Sequence, residues 1–319
     1  MRLMKSVFTG LAMLLLGALA AAADNYPTKP VRIIVQVAAG SSIDISARII
    51  ADRLSRMWGQ QVVVLNQPGA GGALAVRTTA AAEPDGYTLL MAASSIFVVL
   101  PELQPKIDIG KLEPIGFISE QPMVFATARD SGLKSVSDLV AQSKSRTGGI
   151  DCGVITYGGM SHLTAQWFRN RSGAEMTFIY YPGTQQALND VTSGRIPMMI
   201  ETLSGMLGAI SGKMIDVLAV ASAARLPNLP DSPTVAETIP GFAASGWTAL
   251  VATPGTPESV TGKISEDLRK IVTDPEVASK FAELGSFTRA MTPQELAQHI
   301  RGERSQWKPI IDQVGIKEQ

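Results

Sequence analysis

The amino-acid sequence predicts an α/β fold of two lobes, each a mainly parallel sheet flanked by helices. Short runs of β-branched residues, such as Val31–Val37, alternate with amphipathic stretches such as Ile43–Met57. A helix between two apolar strands makes those strands parallel and buries them on both faces. The 319 residues suffice for two lobes of about 100–150 residues each, a usual size for a domain.

The order of strand, loop and helix repeats along the chain. The first unit contains strand Val31–Val37, helix Ile43–Met57, strand Gln61–Leu65, an Ala-rich helix that ends near Ala82, and strand Thr88–Ala92. A second unit begins near Pro122. It contains strand Met123–Ala128, helix Val136–Ser143 with Ser135 as its N-cap, strand Ile150–Ile155, helix Ser161–Arg171, strand Thr177–Tyr180, helix Gln185–Ser193 and strands Pro197–Glu201 and Val217–Ala221.

The Pro- and Gly-rich stretch Leu226–Gly241 predicts a crossover out of the second unit. Strand Trp247–Ala252 and helices Glu258–Thr273, Pro275–Leu284 and Pro293–Val314 follow it. Because these closing elements need a sheet to pack on, we expect them to return to the first lobe. The expected division is a signal peptide at 1–23, a discontinuous lobe 1 at 24–124 and 226–319, and lobe 2 at 125–225.

The chain begins with the parts of a secretion signal. Arg2 and Lys5 form a basic start, and the apolar run Leu11–Ala18 is too short to span a bilayer. Small residues up to Ala23 provide the expected cleavage site. The only cysteine, Cys152, lies far downstream, so a lipid anchor at the cleavage site is not expected. We predict a free periplasmic protein in which Cys152 is an inert core residue.

Composition and motifs give little support for catalysis or nucleic-acid binding. The formal net charge is zero, whereas nucleic-acid binding requires basic clusters. The stretch around Ser161 and His162 resembles a nucleophile elbow, but Leu163 replaces its second glycine. Gly69–Leu74 is an incomplete dinucleotide fingerprint and is interpreted as a turn. We expect no catalytic residue, metal or cofactor, and a solvated His299 in the terminal helix.

Four small polar loops follow predicted strands and precede predicted helices. They are Ala39-Gly40-Ser41-Ser42 ahead of Asp44, Ser94-Ser95, Thr156-Tyr157-Gly158-Gly159-Met160-Ser161, and Gly183-Thr184. In open α/β sheets, ligands bind beyond the carboxyl ends of strands, and N–H groups at a helix start attract anions. A cleft between two lobes would gather these loops around a carboxylate. The same loops also provide turn geometry alone, and that alternative stays open.

Ordered motifs over the mature chain resemble the Bug receptors, the solute-binding components of tripartite tricarboxylate transporters. The motifs are Tyr26–Val35, Asp44–Arg48, Val64–Gly72, Pro84–Leu90, Leu229–Glu237, Pro254–Pro257 and Asp274–Val277. The resemblance implies a type II-like periplasmic binding protein, or Venus flytrap, whose two lobes close on a small carboxylate. It also implies two integral membrane subunits as partners. We expect a monomer that does not bind nucleic acid.

The third loop departs from the pattern that the resemblance implies. Val154 and Ile155 stand where serines are usual, Tyr157 stands at an asparagine position, and Met160 adds apolar bulk. With Phe97, these residues suggest a larger or more apolar ligand, such as an aromatic acid; simple repacking of the cleft wall is the alternative. The expected ligand-binding residues are Ala39, Gly40, Ser41, Ser42, Asp44, Ser94, Ser95, Phe97, Thr156, Tyr157, Gly158, Gly159, Met160, Thr184 and Glu201.

The sequence therefore predicts a periplasmic solute-binding protein that captures a dicarboxylate or an aromatic carboxylate for a tripartite transporter. A ligand sensor that presents its closed form to a signalling partner would need the same closure and remains an alternative. A hydrolase is a remote alternative, because the reactive side chains lack the arrangement that catalysis requires.

Overall fold

The computed structural model describes residues 26–155 and 157–315. The expected signal peptide and the candidate site residue Thr156 lie outside the described residues. Among the residues described, no helix is both long and apolar enough to cross a membrane.

The chain alternates strands and helices, as the sequence predicts. Its first part forms β1 (Val31–Val35), α1 (Ser42–Trp58), β2 (Val62–Asn66), α2 (Ala73–Ala80), β3 (Thr88–Ala93), the short helices α3 (Ser94–Val98) and α4 (Leu100–Leu103), and β4 (Glu113–Ala128). The middle forms α5 (Val136–Ser145), β5 (Ile150–Ile155), α6 (Met160–Ser172), β6 (Met176–Tyr181), α7 (Thr184–Thr192), β7 (Met198–Thr202), α8 (Leu203–Ser211) and β8 (Ile215–Val220). The last part forms β9 (Ser245–Ala252), α9 (Glu258–Val272), α10 (Pro275–Glu283), β10 (Phe287–Thr288) and α11 (Pro293–Val314).

Local capping interactions explain where several helices begin and end. The Ser41 hydroxyl accepts a hydrogen bond from the N–H of Asp44 at the start of α1, and Gly59 ends this helix with a left-handed φ of 63°. Ser135 caps α5 through the N–H of Asp138, which confirms the predicted N-cap. These interactions join residues within one turn, so the sequence alone specifies them.

The strands form one mixed sheet that is parallel in each lobe and antiparallel where the lobes meet. The strand order is β2-β1-β3-β9-β4-β7-β5-β6, and β8 and β10 also pair with β4. Strands β1, β2 and β3 are parallel, as are β5, β6 and β7. The antiparallel pairs of β3 with β9, of β9 with β4 and of β4 with β7 join the two parallel groups.

Strand β4 runs from one lobe into the other over 16 residues. Its first part pairs with β9 up to Pro122, and its second part pairs with β7 and β8 from Met123 and Val124 onward. The sequence predicts only the second part, because proline and glycine in the first part disfavour a strand. The structure accommodates them with register shifts between Pro114 and Gly116 and between Phe117 and Ser119.

Helices cover both faces of the sheet in each lobe, and α11 contacts both lobes. Leu296 near the start of α11 lies in an apolar cluster with Trp247 of β9. Trp307 and Ile310 near its end lie in another cluster with Phe168 of α6. The terminal helix was expected to pack on the first lobe. It packs on both lobes, because the apolar residues near its start face the first lobe and those near its end face the second.

The structure confirms the expected burial of Cys152 and corrects the expectation for His299. Cys152 is fully buried among apolar side chains, and burial raises the pKa of its thiol well above the usual value. His299 is only partly exposed: its ring packs edge-on against Trp247 and Phe117, with centroid distances of 5.0 and 5.4 Å, and its Nε2 is buried. Desolvation, reinforced by the Arg289 charge, lowers the pKa of His299 to about 4.

Candidate functional site

The carboxyl ends of both groups of parallel strands meet at the junction between the lobes. The last residue of β3, Ala93, lies opposite Thr248, near the start of β9. The last residue of β7, Thr202, lies opposite Met123, where β4 enters the second lobe. Strands β5 and β6 end together at Ile155 and Tyr181, on the same side as β7. The loops that follow these strands therefore lie at the junction of the lobes, where the sequence analysis expects the binding site.

The first loop is held by Asp44, which contacts protein groups rather than open space. Its carboxylate accepts hydrogen bonds from the Gly40 N–H at 2.8 Å, from Arg48 at 3.0 Å and from Asn66 at 2.8 Å. Desolvation raises the pKa of Asp44, but the bonds from Arg48, Gly40 and Asn66 outweigh it and lower the pKa to about 2. Asp44 thus fixes the loop, while Ala39 and Gly40 are exposed and Ser41 and Ser42 are partly exposed.

The second loop exposes fewer ligand-binding groups than the sequence suggests. Ser94 is buried at the start of α3, and Ser95 is partly exposed. Phe97 is 2% exposed, and its ring stacks on Trp247 at a centroid distance of 5.3 Å. Because this ring face is already covered, the expected contact of Phe97 with a ligand is corrected: Phe97 is a core residue of the first lobe.

The third loop is organised around His162. The Gly158 N–H donates to His162 Nδ1 at 3.1 Å, and His162 Nε2 lies 3.2 Å from the Tyr180 hydroxyl. His162 is buried; desolvation, reinforced by the Arg169 charge, lowers its pKa to about 4. The neutral ring therefore accepts from Gly158 and donates to Tyr180. The Gly158 N–H, expected to contact a carboxylate, is already bonded.

The apolar residues of the third loop also have protein partners. Tyr157 is 50% exposed, but its hydroxyl donates to the Val314 carbonyl of α11 at 2.7 Å. Met160 packs against the apolar cluster that contains Trp307. Val154 is fully buried in that cluster and is a core residue of the second lobe. These contacts favour repacking of the wall over a specialised apolar pocket.

Helices α6 and α7 begin at glycines and lack side-chain caps. Gly159 precedes α6 and Gly183 precedes α7; both have extended backbones, and neither helix has a capping side chain. The helices contain 13 and 9 residues, long enough for the macrodipole to make their N-termini positive. Their first N–H groups are therefore candidate donors to an anion.

Glu201 and Thr184 lie close together, on either side of Gly205. A Cβ on Gly205 of α8 would lie 3.2 Å from Glu201 Cγ and 3.3 Å from Thr184 Cγ2. Desolvation raises the pKa of Glu201, although hydrogen bonds from the Thr202 backbone and hydroxyl oppose this shift. The sequence does not reveal the close packing around Gly205, because Gly205 is a single glycine in a helix that the sequence analysis does not predict.

Gln121 is a further residue that sequence analysis missed. It is 6% exposed, lies opposite Gly246 where β4 leaves the first lobe, and its Nε2 has no hydrogen-bond partner among the described residues. Gln121 Oε1 and Thr202 Cγ2 both lie 3.8 Å from the position of a Cβ on Gly246. Gln121 and Thr202 are therefore neighbours at the junction of the lobes.

The arrangement does not contain the parts of a hydrolase. The Ser161 hydroxyl donates to the Ile200 carbonyl and accepts from the Ile155 N–H at 3.0 Å, so it holds the loop to β7. The adjacent His162 contacts Gly158 and Tyr180 instead. Within 26–155 and 157–315, no group of three or more His, Cys, Asp or Glu side chains could hold a metal.

Comparison with known proteins gives a consistent result. Residues 46–316 match the model of the Tripartite tricarboxylate transporter family receptor, TctC. BugT of Bordetella pertussis is 33% identical over 300 residues, which is 92% of this chain and 92% of the relative. A UPF0065 protein of Bordetella bronchiseptica is 32% identical over 308 residues, covering 96% of this chain and 91% of the relative.

Solved structures agree with the sequence relatives. R. palustris Rpa4515 with adipate has a TM-score of 0.81 and 27% identity, covering 92% of this chain and 100% of that one. MatC of Rhodopseudomonas palustris with bound malate has a TM-score of 0.75 and 26% identity, covering 90% and 100%. These proteins are solute receptors rather than enzymes. The chain belongs to the tripartite tricarboxylate transporter receptor family of periplasmic solute-binding proteins.

Proposed function

We propose that this protein captures a small organic acid in the cleft and delivers it, as a monomer, to two integral membrane subunits of a tripartite transporter. Residues 24–124 and 226–319 form one lobe and 125–225 the other, and the lobes close around the ligand. The relatives that hold adipate and malate support a carboxylate as the bound group.

The observation that carries this proposal is the pair of uncapped helix starts at Gly159 and Gly183. Both follow parallel strands that end at the junction of the lobes. A carboxylate placed there would accept hydrogen bonds from the first-turn N–H groups and lie at the positive ends of both helices. The first lobe supplies the partly exposed Ser41 and Ser42 and the exposed backbone of Ala39, whereas the Gly40 N–H is engaged by Asp44.

The contacts of Tyr157, Met160 and Phe97 favour an aliphatic over an aromatic acid. Each of these side chains already packs against the protein, so none requires a ligand ring. We therefore place small aliphatic acids first among the ligands and aromatic carboxylates second.

A ligand screen on the purified mature protein tests the function. Thermal shift followed by calorimetry would compare C4–C8 dicarboxylates, their hydroxy derivatives and benzoates, with matched amines and sugars as controls. We expect stabilisation by aliphatic acids, and a decrease in the radius of gyration by small-angle scattering when they bind. Failure of every acid to stabilise the protein would refute the proposal.

The position of the carboxylate can be tested by filling the helix starts. Gly159→Asp and Gly183→Asp place a carboxylate at the N-cap, where it would occupy the N–H groups that the ligand needs. Both glycines have φ values that other residues adopt, −70° and −166°. We expect at least a tenfold loss of affinity with unchanged thermal stability. Gly302→Asp, at an exposed position with open space around it, is the control and should bind normally.

A further inference from the structure

We infer that Glu303 controls lobe closure, because its carboxylate joins a tryptophan of the first lobe to a tryptophan packed against the second. Glu303, Trp247 and Trp307 together are called the clamp. The inference rests on the proposed function, since it concerns the closure of the same cleft. It adds a positioning residue in the terminal helix α11, outside the loops that are expected to bind the ligand.

One carboxylate oxygen accepts both hydrogen bonds of the clamp. Glu303 Oε2 accepts from Trp247 Nε1 at 3.1 Å and from Trp307 Nε1 at 3.1 Å. Trp247 is 1% exposed and Trp307 is 0% exposed, so water has little access to either indole. Because buried N–H groups in native proteins almost always have an acceptor, both indoles depend on Glu303 for their partner.

The two tryptophans pack in different lobes. Trp247 lies in β9, and its ring stacks on Phe97 of α3 and Phe117 of β4 at centroid distances of 5.3 and 5.8 Å. Trp307 lies in α11, and its ring packs edge-on against Trp167 of α6 at 5.5 Å, in an apolar cluster made mainly of second-lobe side chains. The clamp therefore crosses the junction of the lobes.

The indoles, rather than a cation, hold the Glu303 carboxylate. In the described part of the chain its hydrogen bonds come from the two tryptophans, and it forms no ion pair. Arg289 lies over the Phe117 ring at 4.6 Å and approaches Glu120 at 4.0 Å. Desolvation raises the pKa of Glu303, the indole bonds lower it, and the charges of Glu120 and Arg289 have opposite, smaller effects. The position of the carboxylate is thus fixed by the two tryptophans.

The helix that carries the clamp is weakened close to it. Pro309 lies inside α11 and cannot donate a hydrogen bond to the carbonyl four residues earlier, and an interior proline is a usual site of helix bending. Leu296 packs in the first lobe and Ile310 in the second-lobe cluster, so the two ends of α11 follow different lobes. The bond from Trp307 to Glu303 spans the adjoining turn and opposes bending there.

The clamp affects ligand binding through the orientation of the lobes. Closure on a ligand requires one relative orientation, and a junction without the clamp would sample more of them. The orientation that can close would then be a smaller fraction of the population, and the apparent affinity falls by that fraction. Glu303 therefore changes affinity without contacting the ligand.

Distances between the lobes test the clamp without a ligand. Nitroxide labels would be attached at Lys106→Cys in the first lobe and Lys144→Cys in the second; both positions are exposed, whereas the native Cys152 is buried. Pulsed electron paramagnetic resonance would compare the labelled parent protein with Glu303→Met, which removes the acceptor, and Glu303→Gln, which keeps an acceptor oxygen. Trp307→Phe removes one indole N–H and supplies the result where Glu303→Met does not fold.

A matched control removes an indole–carboxylate bond that lies within one lobe. Trp58 Nε1 of α1 donates to Asp267 of α9 at 2.8 Å, and both helices pack in the first lobe. Trp58→Phe loses this bond as Trp307→Phe loses its bond to Glu303, but the lost bond does not cross the junction. Trp58→Phe should therefore leave the distances between the lobes unchanged.

We expect Glu303→Met and Trp307→Phe to broaden the distance distribution roughly twofold, and Glu303→Gln and Trp58→Phe to resemble the parent protein. Calorimetry with adipate, and with malate as a second probe, should show about fivefold weaker binding to Glu303→Met and Trp307→Phe. The other two variants should change the affinity less than about twofold.

A distribution that Glu303→Met and Trp307→Phe leave unbroadened would overturn the inference. Equal broadening by Trp58→Phe would also overturn it, because the loss of any indole bond would then suffice. If the wild-type protein and Glu303→Met bind adipate or malate equally well, the clamp does not control closure, and the proposed function stands. If no acid of the wider screen binds the wild-type protein, the proposed function fails, and the label distances alone decide the inference.

Discussion

Replacement of Asp44 by asparagine tests whether this residue holds the first loop rather than binding the ligand. The change preserves the size of the side chain and removes the negative charge that Gly40, Arg48 and Asn66 contact. The carboxylate is 3% exposed, so water can replace little of what is lost. An amide at this position would also direct N–H groups toward donors.

The structure gives the size and the pH dependence of the effect. The pKa of Asp44 falls from 3.8 to about 2 on folding, and each unit corresponds to about 1.4 kcal/mol, so the ionised side chain contributes on the order of 2 kcal/mol at neutral pH. The unfolded chain binds the proton more tightly than the folded one. This contribution is therefore complete above about pH 4 and is lost as the pH falls toward 2.

Urea unfolding followed by circular dichroism at a series of pH values would measure this effect. We expect Asp44→Asn to lose about 2 kcal/mol at pH 7 and the difference from wild type to narrow below about pH 4. Asp52→Asn is the control, because Asp52 lies on the same helix and forms an exposed pair with Arg56 worth less than about 1 kcal/mol. Equal losses for the two variants, or a difference that does not change with pH, would refute this reasoning.

Three further predictions concern the junction of the lobes and the core. His162→Leu should lower the free energy of unfolding. The imidazole has a pKa of about 4 in the folded protein and about 6.5 in the unfolded chain, so the wild-type protein should lose stability as the pH falls from 6.5 to 4. The variant lacks this group and should lose less stability over the same range. Gly285→Ala should cost about 1–3 kcal/mol in urea unfolding, because its Cβ would lie 2.9 Å from the Ser204 nitrogen. Gly255→Ala, also at positive φ, should cost less, because the nearest atom to its Cβ would be Pro84 Cβ at 4.0 Å. The Cys152 thiol should react with a disulfide reagent only after unfolding, and a fast reaction in the native state would contradict its burial.

Much of the secondary structure could be predicted because its signals are short-range. The N-cap at Ser135 joins residues three apart, and the last helix was predicted with the observed bounds, Pro293–Val314. Patterns of period 2 and 3.6 are properties of the local backbone, so they remain visible in the sequence. The first part of β4 was missed because its irregular pairing depends on β9, more than 120 residues away along the chain.

The loops of the site could be located from sequence, but their free groups could not. The order of strands and the glycine-containing loops placed Gly159, Gly183 and Glu201 at one edge, as the pairing of β5, β6 and β7 requires. The bond from Gly158 to His162 is also local, since four residues separate them, but it depends on a ring orientation that Tyr180 helps to fix.

The sequence by itself determined the fold class, the capped helix starts and the family, because repeated local patterns and ordered motifs encode them. Only the tertiary structure decided which groups remain available to a ligand. Phe97 is covered by Trp247, Tyr157 is bonded to Val314, and Gln121 keeps an unpaired amide beside Gly246. These outcomes depend on partners more than 120 residues away along the chain, and the chain must be folded before a polar atom is either paired or left for a ligand.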